Sequence, residues 1–287
     1  MEEGRPSWTA EGIARMRALH LLLDDDPKIF EDNLALPFLG SEETIRLKTN
    51  LDAYQTSELG SLRAVFVMRH RYAEDELGEA FQHGISQYVI LGAGLDPFAY
   101  QCPDAMQRLH IYEVDHPPTQ QWKRQRLEEL GIPIPANLTF IPIDFEVQTL
   151  AEGMAASDFK HKEPAFFSWL GVTQYLTEEA VLETLKYVST HAAPGSEIVF
   201  QIVLPQSILS ADDQAVVTTA IERASQHGEP WLSFFEPQAL EARLMAMGFN
   251  RVTHFGSAEA SARYFQGRTD GLALPNYFEL IKADLPQ

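Results

Sequence analysis

Residues 87–96 read Gln-Tyr-Val-Ile-Leu-Gly-Ala-Gly-Leu-Asp. Four β-prone apolar residues, Tyr88, Val89, Ile90 and Leu91, run directly into Gly92-Ala93-Gly94. A second apolar run, Leu109 to Val114, contains Glu113 and closes on Asp115. A strand, a glycine turn and acidic groups at the tip of the next strand are the parts of a nucleotide-type binding site.

Outward from this stretch, apolar runs recur at 88–91, 109–114, 138–143, 165–170, 197–204, 251–255 and 277–281. Helical spacing fills 97–108, 117–130, 178–190 and 237–247, with Gly248 placed to end the last helix. Strand and helix in turn predict an α/β fold: a Rossmann-like, seven-stranded, mostly parallel sheet with helices on both faces. The last two strands, close together, predict an antiparallel edge. Before the alternation begins, helix dominates. Residues 8–24 carry Ile13, Met16, Leu19, Leu22 and Leu23 at roughly helical spacing; 29–39 form an apolar segment broken by Pro37; 42–58 are weakly helical and 60–83 strongly so. A single domain is expected over 1–287. Its parts are a helical N-terminal cap (1–85), a cofactor-binding core (86–204), a helical insertion or lid (205–236) and a C-terminal helix with strands (237–287). The insertion holds a helical piece over 213–226 and then an aromatic cluster of Trp231, Phe234 and Phe235 that reads as a roof.

Composition narrows the partners. The 287 residues have 45% hydrophobic and 22% charged side chains, the balance of a folded globular chain. The net charge of −19 repels phosphate backbones, so no nucleic-acid partner is expected. The single Cys102 makes neither an internal disulfide nor a cysteine-based metal site, and no metal is expected. Met1 to Ser7 lack the basic-then-apolar pattern of a signal peptide, and no run approaches the ~20 residues of a spanning helix. A cytoplasmic protein without a membrane partner is the expectation.

Which nucleotide is bound turns on Pro97. A dinucleotide fingerprint needs a third glycine there, so that a helix N-terminus can face a pyrophosphate. Pro97 supplies neither that glycine nor a basic group. A cofactor with an amino-acid end and a single nucleoside fits better, namely S-adenosylmethionine. Its ribose hydroxyls need carboxylate acceptors. Glu113 lies 19 residues beyond Gly94, where the second strand ends, and Asp115 falls on the same side of an extended chain. Asp144, at the tip of the third apolar run, is placed for the adenine amino group, with Phe145 beside the ring. Asp96, the Glu113/Asp115 pair and Asp144 thus put acid at three successive strand tips.

With these residues in view, the chain resembles the bacterial S-adenosylmethionine-dependent methyltransferases related to leucine carboxyl methyltransferase. The likeness runs through Thr9-Ala10, Arg17-Ala18, Met68-Arg69-His70-Arg71-Tyr72, Leu91 to Asp96, Glu113-Val114-Asp115-His116-Pro117, Asp144-Phe145 and Gly171 to Leu176. It implies that Gly92 and Gly94 let the backbone approach the methionine part of the cofactor. It also implies that Arg69, or failing that Arg71, pairs with the cofactor carboxylate, that Asp115 with Glu113 binds the ribose, and that Asp144 and Phe145 hold the adenine. The chain departs from the family pattern twice. Pro97-Phe98 stand where Thr-Arg is common, and Leu170 stands where a glutamate is common.

Methyl transfer from a sulfonium is an in-line displacement, so the acceptor must be aligned and water kept out. A carboxylate acceptor is ionised already, whereas an alcohol or phenol needs a base. After the fourth strand, Thr173, Gln174 and Tyr175 are the candidates to hydrogen-bond a substrate oxygen, and His116 is the histidine nearest the site in sequence. An O-methyltransferase of a small-molecule carboxylate or hydroxyl is expected. The alternatives are a methyltransferase of a protein C-terminal carboxylate, a non-catalytic cofactor-binding protein, and a nicotinamide-dependent oxidoreductase, the last disfavoured by Pro97.

Overall fold

The computed structural model describes residues 8–144 and 148–287, apart from the side chain of Ala105. Three helices come first: α1 (Trp8–Leu23), α2 (Ala35–Thr49), bent at Gly40, and the long α3 (Ser57–Gln82). The Thr56 hydroxyl caps α3 by accepting from the Leu59 amide. Alternation then follows as β1 (Gln87–Leu91), a single turn α4 (Phe98–Gln101), β2 (His110–Asp115), α5 (Pro117–Glu129), β3 (Leu138–Pro142) and α6 (Leu150–Ala155). Next come β4 (Ala165–Trp169), α7 (Glu178–His191), β5 (Glu197–Val203), α8 (Ala211–Gln226), α9 (Pro237–Met247), β6 (Arg251–Phe255), α10 (Ser257–Ala260) and β7 (Phe278–Asp284).

All seven strands join one sheet in the order β3-β2-β1-β4-β5-β7-β6. The first five are parallel, and β7 runs antiparallel between β5 and β6. Strand order reverses between β1 and β4, so the crevice beyond their carboxyl ends is where an open α/β sheet binds its ligand.

Both faces of the sheet are covered, which is why its central strands are apolar on both sides rather than alternating, with Ser168 and Gln201 among the buried exceptions. Val89, Leu91, Phe167, Trp169, Phe200 and Ile202 pack on one side with α6, α7 and α9. Tyr88, Ile90, Phe166 and Val199 pack on the other with Tyr72, Leu77 and Phe81 of α3. Gly248 ends α9 in the left-handed conformation, as its position predicts. No helix among the described residues is long and apolar enough to cross a membrane.

Two helix predictions are corrected. The 97–108 stretch forms only the single turn α4 and a 3-10 turn at Asp104–Met106, because Pro103 has no N–H to give and holds Cys102 in an extended conformation with ψ 131°. The weakly helical 42–58 is divided: α2 stops at Thr49 and a short 3-10 turn precedes α3.

Beneath the glycine turn lies a buried ion pair. Lys123 of α5, 1% exposed, donates to Glu113 Oε2 at 2.8 Å and to the Asp96 carbonyl at 2.8 Å; Glu113 is fully buried. One ammonium therefore ties the loop after β1 to the tip of β2. Burial pushes the Glu113 carboxyl up to about 7, against the pull of Lys123. The folded chain then binds more protons than the unfolded one between the ordinary 4.5 and about 7, so this group's contribution to stability falls as pH rises through that window. Lys123→Ala should cost about 3–5 kcal/mol in urea unfolding near neutral pH, and less near pH 5, where Glu113 can take up a proton. Glu113→Gln should flatten the fall of stability between those pH values; an unchanged pH slope would show that another group sets it.

Candidate active site

A cavity of about 460 Å³ opens at the β1/β4 reversal. Its floor is the Ile90-to-Asp96 loop and Leu170 to Val172 after β4. Asp115, His116 and Thr119 form one wall, Arg17, Arg69 and His70 another, and Gly228 to Pro230 with Leu232 lie across the mouth. A larger cleft of about 660 Å³ lies elsewhere, between residues 25–29 and 263–269. Its charges are already matched, Arg71 with Asp75, Arg263 with Asp75 and Glu76, and Arg268 with Asp270. A volume of a few hundred Å³ at a topological switch point, with unmatched charge in it, favours the first cavity as the ligand site.

The glycine turn is close-fitted. Gly92 (φ 67°) and Gly94 (φ 48°) both take left-handed conformations. A Cβ on Gly92 would overlap Val172 Cγ2. The Gly92 and Ala93 amides donate to the Val114 carbonyl, fastening the turn to β2. Asp115 is part-buried; one carboxylate oxygen accepts from the Gly94 amide and the other from the His116 amide at 2.6 Å. Burial raises its carboxyl, and those two amides oppose the rise.

Arg69 is the electrostatic centre of the wall. It is 3% exposed, and Nη1 donates to Gln201 Oε1 at 2.9 Å. Among the described residues no carboxylate pairs with it, and its Nε has no partner. Its guanidinium lies against Gly171, where any Cβ would overlap it. Burial, with Arg17 nearby, pulls its pKa down to about 9, the mark of a cation held without its anion. Arg17 is different: it gives Nε to Asp32 at 2.6 Å and Nη2 to the Leu95 carbonyl at 2.7 Å. Between the two arginines sits His70, whose Nδ1 donates to the Phe66 carbonyl at 2.7 Å, leaving Nε2 to accept from Arg17 Nη1 at 3.4 Å. Burial and the two cations hold its imidazole well below the usual range, so it is neutral.

The structure brings Arg69, Gly92, Gly94, Asp115 and Tyr175 to one cavity. Asp144 stands beside the His116 ring, with Oδ2 3.7 Å from Nε2. Phe145 lies outside the described residues. Four expectations change. Glu113 does not face the cavity, because its carboxylate is spent on Lys123. Arg71 lines the other cleft and pairs with Asp75, so of the two candidates only Arg69 lines this cavity. Thr173 is buried and donates to the Gln201 carbonyl at 2.6 Å, so its hydroxyl does not reach a substrate. Gln174 is buried beneath the turn, with Nε2 toward the Gly171 carbonyl at 3.3 Å. The aromatic roof is likewise core. Trp231 and Phe234 pack with Val203, Val217 and Tyr277, and Phe235 joins the main core beside β5. Leu232, 52% exposed, and Glu229 take the place across the mouth. Neither was singled out by the sequence; the Gly228-Glu229-Pro230 turn after α8 was the available signal.

Comparison with known proteins agrees in kind. The family model of leucine carboxyl methyltransferase matches residues 10–189. A Bacillus subtilis (strain 168) protein assigned as an S-adenosyl-L-methionine-dependent methyltransferase, YktD, is 30% identical over 95% of this chain and 96% of its own. A Mycobacterium avium (strain 104) protein with the same assignment is 31% identical over 71% of this chain and 68% of its own. Among solved structures, a duf574 family protein from Streptomyces avermitilis aligns with a TM-score of 0.61 at 12% identity, over 98% of each chain. A structure assigned as a methyltransferase, from Thermobifida fusca, aligns with a TM-score of 0.59 at 15% identity, over 100% of this chain and 97% of that one. The chain belongs to the leucine carboxyl methyltransferase family, and the two structures share its fold.

The tight turn makes a direct test. Gly92→Ala adds a Cβ at positive φ and into Val172, so it should cost about 1–3 kcal/mol in urea unfolding. Adding Val172→Ala should recover the overlap part of that loss but not the conformational part. Full recovery would mean that the left-handed backbone is not itself costly there.

Proposed function

We propose that this member of the family transfers the methyl group of S-adenosylmethionine to an oxygen of a small molecule bearing a carboxylate or hydroxyl. The observation that carries this is Arg69: a buried cation with no carboxylate partner among the described residues, facing the cavity beside the glycine turn. A buried charge without its counterion is costly. An amino-acid carboxylate supplied by the cofactor offsets that cost, and the planar guanidinium suits it. The positive-φ turn of Gly92 and Gly94 leaves room for the methionine part to lie against backbone. Asp115, oriented by two amides, takes the ribose hydroxyls, and Asp144, beside the His116 ring, takes the adenine.

The protein's part in the reaction is alignment and exclusion of water. The sulfonium carries its own leaving group, so an ionised acceptor oxygen need only be held in line with the methyl carbon, whereas a hydroxyl must also give up its proton to a base. Tyr175, at the cavity wall after β4, is the residue of the Thr173-to-Tyr175 turn able to touch the acceptor. Thr173 and Gln174 act on it indirectly, by fixing the turn on which it stands. A cavity of about 460 Å³ favours a small acceptor bound beside the cofactor over a folded protein surface.

S-adenosylhomocysteine should bind the wild-type protein in calorimetry, and NAD should not. Asp115→Ala and Arg69→Met should each weaken it roughly tenfold or more, the loss expected of a charge-assisted hydrogen bond. Binding of NAD alone overturns the proposal. Unchanged affinity in both variants shows that the cofactor lies elsewhere.

A further inference from the structure

The mouth of the cavity has a chemistry of its own. Of the Lys and Arg side chains among the described residues, only Arg17 and Arg69 line the cavity. Arg17 is spent on Asp32 and the Leu95 carbonyl, and Arg69 is the partner assigned above to the cofactor. No such cation remains for an anionic acceptor. What the outer end presents instead is Glu229. Its carboxylate accepts from the Thr9 hydroxyl, and the Thr9 oxygen lies 3.4 Å from the Tyr175 hydroxyl. Because the Thr9 proton is committed to Glu229, the Tyr175 O–H is the donor of that second contact. The chain Tyr175 to Thr9 to Glu229 therefore ends on a carboxylate. No cation among the described residues pairs with Glu229. The juxtaposition is built into the fold, since Trp8 at the start of α1 stacks on His227 at the end of α8, with ring centroids 3.8 Å apart and an interplanar angle of 13°. Ile13 and the exposed Leu232 supply apolar walls beside it.

Resting on the methyl-transfer reading above, we propose that Glu229, with Thr9 and Tyr175, forms the acceptor end of this cavity and selects a neutral hydroxyl compound over a carboxylate. Glu229 is the base. The acceptor oxygen forms a bond to the methyl carbon, and the carbon–sulfur bond breaks with its electron pair passing to sulfur, giving S-adenosylhomocysteine. The hydroxyl proton passes to the Glu229 carboxylate and leaves to solvent after the methyl ether departs. A carboxylate acceptor would bring a second negative charge against Glu229 in a partly enclosed site, where like charges repel more strongly than in water. An apolar body carrying one hydroxyl meets Ile13, Leu232 and the base together.

The test uses the full chain saturated with S-adenosylhomocysteine, with phenol and benzoate as matched probes. Wild type should bind phenol roughly tenfold or more tighter than benzoate. Glu229→Gln keeps an oxygen for Thr9 but removes the charge. It should tighten benzoate roughly tenfold and leave S-adenosylhomocysteine affinity unchanged. A second measurement uses methyl-labelled donor with small-molecule extract of the expression host, followed by alkali. Ether label survives, whereas a methyl ester releases volatile methanol. Benzoate binding as tightly as phenol, failure of both probes to bind, discrimination that persists in Glu229→Gln, or volatile label each overturns the inference. Failure of S-adenosylhomocysteine to bind wild type overturns the methyl-transfer reading instead, and this inference with it.

Discussion

The strand tips are organised by one buried ammonium. Lys123 reaches from α5 under the glycine turn, where it holds the Asp96 carbonyl and the Glu113 carboxylate at once. With the ammonium placed there, the loop after β1 cannot drift from β2, and Asp115 is left to grip the Gly94 amide from the solvent side. A buried ion pair contributes little net stability over a well-packed apolar substitute. What it fixes is register. The amide-to-carbonyl bonds from Gly92 and Ala93 to Val114 form only if the two tips stay level. The left-handed glycines, the close approach of Val172 and the position of Asp115 all follow from that.

A second electrostatic constraint sits across the cavity. Arg17 and Arg69 are both buried in one wall, with a neutral His70 between them. Among the described residues only Arg17 has its anion, Asp32. Burial and the neighbouring Arg17 both work against the Arg69 charge, so Arg69 stays uncompensated until an anion arrives. Stability withheld at one guanidinium is returned as affinity when a carboxylate binds, which is the usual way a folded protein keeps a charged site waiting for its ligand. Gly171 belongs to the same arrangement, because only a residue without a Cβ lets the guanidinium rest against the turn after β4.

Much of this is legible in the sequence. The seven strands could be read because a doubly covered sheet needs continuous apolar runs, and those runs are the strongest pattern in the chain. Pro97 and the glycine turn carried the argument away from a dinucleotide, and the acidic strand tips turned it toward a single nucleoside. The failures have physical causes. Glu113 and Asp115 do share one side of β2, but two residues of strand separate them by about 6.6 Å. That depth places one under α5 and leaves the other at the rim; period shows side, not depth. Arg69 and Arg71, two apart on α3, diverge because a helix turns about 200° over that step, so a shared motif sends one into the cavity and the other to the opposite cleft. Thr173 and Gln174 looked like substrate ligands because they are polar and follow a strand. The Thr173 hydroxyl goes instead to the Gln201 carbonyl, and the Gln174 amide nitrogen to the Gly171 carbonyl.

The segment least readable in sequence is the one that closes the site, and topology explains why. After β5 the chain leaves the sheet for α8 and must return to begin α9. On its way back the Phe235 amide donates to the Val203 carbonyl, the Ser233 hydroxyl to the Thr173 carbonyl and the Leu232 amide to the Gln174 carbonyl at 2.6 Å. These bonds stitch the returning chain to β5 and to the turn after β4, the neighbours of the reversal point. Trp231, Phe234 and Phe235 are thereby drawn inward as core, and Glu229 with Leu232 is left standing over the mouth. No periodicity marks such residues, because they are placed by bonds to backbone partners 32 to 60 positions away rather than by a repeating face. The parallel strands that carry the glycine turn obey a pattern that any member of this fold must keep. The mouth of the cavity, where we place the acceptor, hangs on a connection whose only obligation is to span from β5 to α9, so its side chains are free to differ.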